Sequence, residues 1–198
     1  MLVFGKQALV FLATPKTAST AIEQALGPLA TIAVTRPTAL KHTDAAQFAD
    51  HLRPYLRATL GQDFDTIALM REPRDWLGSW YRNRQREEEA KDTSTQDVDF
   101  EEFVRLACTE APPNFARVGR QVDFLNPRPD ARVTHIFRYD RLEDFVHFLE
   151  AKLDFEILLP RLNVSPWGDL HLSPQAEAMV QSSFAVDFAL YGSLPGRV

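Results

Sequence analysis

The chain alternates short unbroken apolar runs with longer stretches in which apolar residues recur every three or four positions, the pattern of strands and helices taken in turn. Leu9-Val-Phe-Leu12 carries no polar alternation, as in a strand covered on both faces, and it stops at Ala-Thr-Pro-Lys-Thr-Ala-Ser-Thr20. Ile22, Ala25 and Leu26 then repeat at helical spacing. Thr66-Ile-Ala-Leu-Met70 begins the same sequence of events, running into Arg71-Glu-Pro-Arg-Asp75 and a helix with Trp76, Leu77, Trp80 and Tyr81 on its packed side. Pro73 fits the first turn of that helix, where a missing N–H costs nothing. Arg132–Tyr139 is a third strand around Val133, Ile136 and Phe137, and Asp140-Arg-Leu-Glu143 has the pattern of a capping box before a helix over Leu142–Leu153.

The remaining segments are connections and helices. Residues 1–8 read as a lead-in, Gly27-Pro28 stops the first helix, and Leu29–Val34 is a short β candidate. Asp44 is placed to cap a helical stretch over 45–52, and Pro54–Asp65 is a helical or irregular connection broken at Gly61. Ala90–Asp99 is the most loop-like stretch, as well described by a lid as by a surface loop. Helical spacing returns over 100–108 and 115–125, with Ala111-Pro-Pro-Asn114 between them, and 163–168 is irregular. Ser173-Pro174 caps a last helix to Tyr191, whose Met179, Val180, Phe184 and Phe188 are expected to dock on the sheet. Strands each followed by a helix predict an α/β fold: a central parallel sheet flanked by helices, with ligands beyond the carboxyl ends of its strands.

Composition narrows the function classes. A chain of 198 residues suits a single domain, 1–198, and is too short for two large ones. Its 45% apolar and 25% charged residues are those of a soluble globular protein, and a net charge of -5 argues against nucleic-acid binding through a basic surface. An anion site must therefore be a local basic pocket. The single cysteine, Cys108, rules out an internal disulfide framework and disfavours a cysteine-based zinc site, and no other metal-ligand cluster is visible. No apolar run reaches the ~18–20 residues of a membrane-spanning helix, and the N-terminal apolar stretch leads into a polar loop rather than a cleavage site. The expected location is cytoplasmic.

The loop after the first strand has the chemistry of an anion site. A helix opens there, offering unpaired N–H groups and the positive end of its dipole, alongside Lys16 and the hydroxyls of Thr17, Ser19 and Thr20. Taken alone, it is also an ordinary N-capped connection. Arg71, with Ser79 eight residues on, forms a second candidate anion element at a second strand end. Two such elements suit a ligand with two separated anionic groups.

Pro15-Lys-Thr-Ala-Ser-Thr20 resembles the 5′-phosphosulfate loop of sulfotransferases, and Arg71-x-Pro73-x-x-x-x-x-Ser79-x-Tyr81 resembles their 3′-phosphate element, in matching order and spacing. Weaker likeness at Phe100-Glu-Glu-Phe-Val104, Tyr139-Asp-x-Leu142 and Asp187-Phe-Ala-Leu-Tyr191 extends it over most of the chain, closer to the glycan-type branch. The resemblance implies a fold like that of the P-loop NTPases and 3′-phosphoadenosine-5′-phosphosulfate (PAPS) as co-substrate, with no metal. It also implies a hydroxyl or amine acceptor on a small molecule or glycan. Lys16 would then neutralise the leaving oxygen, Thr17, Ala18, Ser19 and Thr20 would surround the phosphosulfate, and Arg71 and Ser79 would hold the 3′-phosphate. His42, in Lys41-His42, stands about where the family carries its base; as a lone loop histidine it is equally a solvated bystander.

Other features qualify this picture. Arg82, Arg84 and Arg86 could meet an anionic acceptor, although Glu87, Glu88 and Glu89 favour an ion-paired helix. Arg117, Arg120 and Gln121 lie in a stretch that borders the cleft in the glycan-type branch, without a match that assigns them. Ala18 stands where the family often has glycine, and the tail Leu194-Pro-Gly-Arg-Val198 lacks a basic Arg-Lys-Gly segment. Two rivals follow: a catalytically inactive nucleotide-binding protein of the same fold, and a P-loop kinase or NTPase. The second calls for G-x-x-x-x-G-K-[ST], whereas no glycine lies between Gly5 and Gly27.

Overall fold

The computed structural model describes residues 1–86, 91–160 and 170–195. In chain order, β1 (Leu2–Phe4) and β2 (Leu9–Phe11) precede α1 (Ser19–Leu26), β3 (Ile32–Ala33) and α2 (Thr38–Lys41). Next come α3 (Ala45–Gln47), which widens to i→i+5 turns over Phe48–Leu52, then α4 (Arg53–Leu60) and β4 (Asp65–Met70). They are followed by α5 (Pro73–Arg84), α6 (Phe100–Ala107), α7 (Gln121–Leu125), β5 (His135–Arg138), α8 (Leu142–Leu153), α9 (Pro174–Ser183) and α10 (Ala185–Ser193). The chain forms two compact units: one holds residues 1–71, 121–163 and 194–198, the other 72–120 and 164–193.

The first unit carries a five-stranded sheet in the order β3-β1-β2-β4-β5. β2, β4 and β5 run parallel, with Phe11 opposite Ile67 and Met70 opposite Arg138, which is the α/β core expected. The lead-in turned out to be a strand: β1 lies antiparallel to β2 and β3, so the sheet is mixed. Phe4, Leu9, Phe11, Ile67 and Leu69 pack with Ile22 and Leu26 of α1 and Phe145 and Leu149 of α8. The alternate residues Val3, Val10, Ala68 and Met70 are buried too, so β2 and β4 are covered on both faces. Each fully buried Leu or Phe contributes about 1.5–3 kcal/mol.

Local signals account for several boundaries. Asp44 forms a reciprocal capping box with Gln47, and Gly61 takes the left-handed conformation (φ 69°) that ends α4. Asp140 does not cap α8. Its carboxylate instead accepts two bonds from the Arg138 guanidinium, at 3.0 and 2.8 Å, because a paired fork contact outcompetes a single backbone N–H. The helix expected over 115–125 is interrupted: Gly119 is left-handed, and regular helix starts only at Gln121.

The second unit is helical. Trp76, Leu77 and Tyr81 of α5 pack with Phe103 and Val104 of α6 and with Val180 and Phe184. The last helix therefore docks on helices rather than on the sheet, and it breaks at Phe184 into α9 and α10. Arg84, expected in an ion-paired helix, is 8% exposed. Its guanidinium donates to the carbonyls of Asn114, Phe115 and Arg117, which ties the 114–117 turn to α5. Thr95 anchors the loop-like stretch, fully buried and donating from its hydroxyl to the Tyr81 carbonyl at 2.9 Å. Glu101 accepts from Arg105 and from the N–H and hydroxyl of Ser173, which holds its carboxyl down at about 2. Glu87, Glu88 and Glu89 and the 163–168 stretch lie outside the described residues.

Candidate active site

β2 delivers the chain into Thr14-Pro-Lys-Thr-Ala18, which turns through two left-handed residues, Lys16 (φ 65°) and Ala18 (φ 58°). Neither is glycine, so the turn holds backbone strain of about 1–2 kcal/mol per residue. Ala18 occupies the cap position of α1 and offers no side-chain oxygen to the first-turn N–H groups. The Ala21 N–H donates to the Ala18 carbonyl at 3.0 Å within the turn, and those of Ser19 and Thr20 meet no side-chain cap.

The hydroxyls are not equivalent. Thr17 is buried and donates to the Thr14 carbonyl at 2.9 Å, bracing the turn from within. Ser19 is buried at the start of α1, while Thr20 is exposed and accepts from Lys41 Nζ at 3.2 Å.

α2 ends at His42, which is half-buried. Its Nδ1 lies 2.6 Å from the carbonyl of Ala13, the residue before the loop. A carbonyl only accepts, so Nδ1 carries the proton and Nε2 is left with a lone pair. Burial, foremost, lowers the ring's pKa, and the Lys41 charge lowers it further, against the raising effects of the Ala13 bond and Glu23. Lys41 itself pairs with Glu23 Oε2 at 2.8 Å. This buried carboxylate on α1 ties the His42 segment to the helix that opens at the loop. It gave no signal in the sequence, where a lone acid in an amphipathic helix reads as solvent-facing.

Arg71 follows the last residue of β4. Its Nη1 donates to the Lys16 carbonyl at 3.1 Å, and its guanidinium carbon lies 4.6 Å from the centre of the Tyr139 ring. Lys16, His42 and Arg71 thus come together at the carboxyl ends of β2 and β4, as the topology requires. Ser79 lies on α5 in the second unit and is buried. Gln121 is bonded to the main chain of Arg71, a role that its sequence neighbourhood did not assign.

The donor set suits a dianion: a cationic side chain, uncapped helix N–H groups and a guanidinium within one loop's reach. Among the described residues, no group of His, Cys, Asp or Glu is arranged to hold a metal ion, and no helix is long and apolar enough to cross a membrane.

No curated protein matches the sequence. The profile of the Sulfotransferase family matches residues 1–178, a span that runs through both compact units and includes the loop at Lys16, the His42 segment, Arg71 and Ser79. With the α/β fold, that match establishes that the chain belongs to the sulfotransferase family.

Proposed function

We propose that the protein transfers a sulfuryl group from PAPS to a hydroxyl or amine of a small-molecule or glycan acceptor, with residues 1–198 acting as one functional domain. The observation that carries this reading is the bond from Arg71 Nη1 to the Lys16 carbonyl. It brings the Arg71 guanidinium within 3.1 Å of the Lys16 main chain, so the two candidate anion elements can serve one ligand.

When bound, PAPS supplies the sulfuryl group and departs as 3′,5′-diphosphoadenosine. Lys16 and the N–H groups opening α1 neutralise charge growing on the departing oxygen. His42 Nε2 takes the acceptor's proton while Nδ1 stays bonded to Ala13, so the ring keeps its orientation as it becomes charged. Arg71 holds the 3′-phosphate by a charge-assisted fork, with Ser79 as a neutral donor.

Ala18 adopts the left-handed conformation that glycine would supply, which supports an active loop against one of the two grounds for an inactive binder, the other being the role of His42. Thermal unfolding with added nucleotides tests the proposal: 3′,5′-diphosphoadenosine should stabilise more than ATP or 5′-AMP. Equal or greater stabilisation by ATP favours a kinase instead. Binding with no sulfated product across a panel of hydroxyl and amine acceptors, glycans included, favours the inactive binder.

A further inference from the structure

The chain leaves the sheet-bearing unit after Arg71 and returns to it at Gln121, and these two residues are bonded to each other twice. The Arg71 N–H donates to Gln121 Oε1 at 2.9 Å, and Gln121 Nε2 donates to the Arg71 carbonyl at 2.8 Å. Gln121 is 1% exposed. A primary amide presents one acceptor and one donor side by side, as a neighbouring strand does through alternating carbonyl and N–H groups. β4 ends at Met70, so the two bonds from Gln121 extend the hydrogen bonding of that main chain by one residue, to Arg71.

That residue bears the guanidinium bonded to the Lys16 carbonyl and set against Tyr139. A long flexible side chain magnifies any rotation of its own peptide. Holding both peptide groups of Arg71 fixes the root from which the guanidinium projects.

We infer that Gln121 is a positioning residue for the 3′-phosphate contact, setting how strongly the protein separates nucleotides with a 3′-phosphate from those without one. The inference rests on the reading of Arg71 as the 3′-phosphate ligand. Gln121 touches no nucleotide in this role and acts through Arg71.

The test is the ratio of dissociation constants for 5′-AMP and 3′,5′-diphosphoadenosine, measured by calorimetry on the wild type, Arg71→Ala, Gln121→Met and the double variant. A charge-assisted contact gives the wild type a ratio of about tenfold or more. Arg71→Ala should bring it close to one. Gln121→Met should cut it about three- to tenfold while 5′-AMP affinity stays within about twofold, whereas a purely structural role would weaken both ligands alike. The double variant should fall no lower than Arg71→Ala alone, because nothing is left to position. Gln121→Asn keeps both amide groups on a shorter arm that cannot make both bonds, and it carries the same measurement should Gln121→Met fail to unfold cooperatively. A wild-type ratio in the Gln121 variants beside a collapsed one in Arg71→Ala overturns the inference and leaves the Arg71 reading standing. A wild-type ratio in Arg71→Ala overturns both.

Discussion

The Nδ1–H of His42 is held by the carbonyl of Ala13 at 2.6 Å, so the imidazole is fixed by the residue that immediately precedes the Thr14–Ala18 turn. Its folded pKa is lowered, chiefly by burial, and Lys41, Glu23 and the Met1 amine are the charged groups that act on it. Only the neutral ring accepts a proton, so kcat/KM should rise with pH and level off with a midpoint below the ~6.5 of a free histidine. Stability follows the same sign. The unfolded chain binds the proton more tightly, so the contribution is complete above about 6.5 and is lost as pH falls through the lower folded value. His42→Ala should reduce turnover about 10²–10⁴-fold with little change in 3′,5′-diphosphoadenosine affinity. Wild-type turnover in that variant would move the base elsewhere.

Arg71 and Lys16 should separate binding from chemistry. Arg71→Ala is expected to weaken 3′,5′-diphosphoadenosine binding by about 1.5–3 kcal/mol, the range for a hydrogen bond to a charged group. Lys16→Ala should lower kcat more than it weakens nucleotide binding, because on the proposed mechanism its charge would meet one that grows only in the transition state. Unchanged turnover in the Lys16 variant would remove it from the mechanism.

Glu23 is buried and paired with Lys41, and removing one member of such a pair leaves an uncompensated charge. Glu23→Ala should cost about 3 kcal/mol in chemical denaturation. Thr20→Ala removes only the exposed second partner of Lys41 and should cost less than about 1 kcal/mol. Equal small losses would mean that water screens the pair.

Ala18→Gly is expected to leave the melting temperature unchanged or raise it. Relief of about 1–2 kcal/mol of left-handed strain offsets the ~0.5–1 kcal/mol that glycine adds to the entropy of the unfolded chain. Ala21→Gly, three residues into the same helix and buried, should instead lose about 1 kcal/mol. Parallel losses at both positions would show that the turn at Ala18 is not strained.

How much of this was legible depended on how local its cause was. Leu9–Leu12 and Thr66–Met70 announce strands because both faces are buried, and Asp44 and Gly61 act within one turn of themselves. The first strand was missed because three apolar residues do not set a period, and its antiparallel pairing with Val10 is a tertiary fact. Arg84 was misread for a related reason. Its carbonyl partners lie some thirty residues away, and the sequence beside it offers only charge. At the site, the Lys16 loop and Arg71 were readable as strand ends. The Gln121 contact was not, since a glutamine opening a short helix looks the same whether it faces water or a buried peptide.

The left-handed turn at Lys16 and Ala18 also bears on when the loop's disorder is given up. A glycine-built loop keeps its freedom in the empty protein and loses it when a ligand arrives, so part of the interaction is spent on ordering. Here both left-handed positions carry side chains, and the Thr17 hydroxyl braces the turn from inside, so the ordering is complete once the chain has folded. On the proposed function, an anion would meet a cradle already in shape: the entropic cost would fall on conformational stability rather than on association, leaving more of the contact energy for the step in which charge moves.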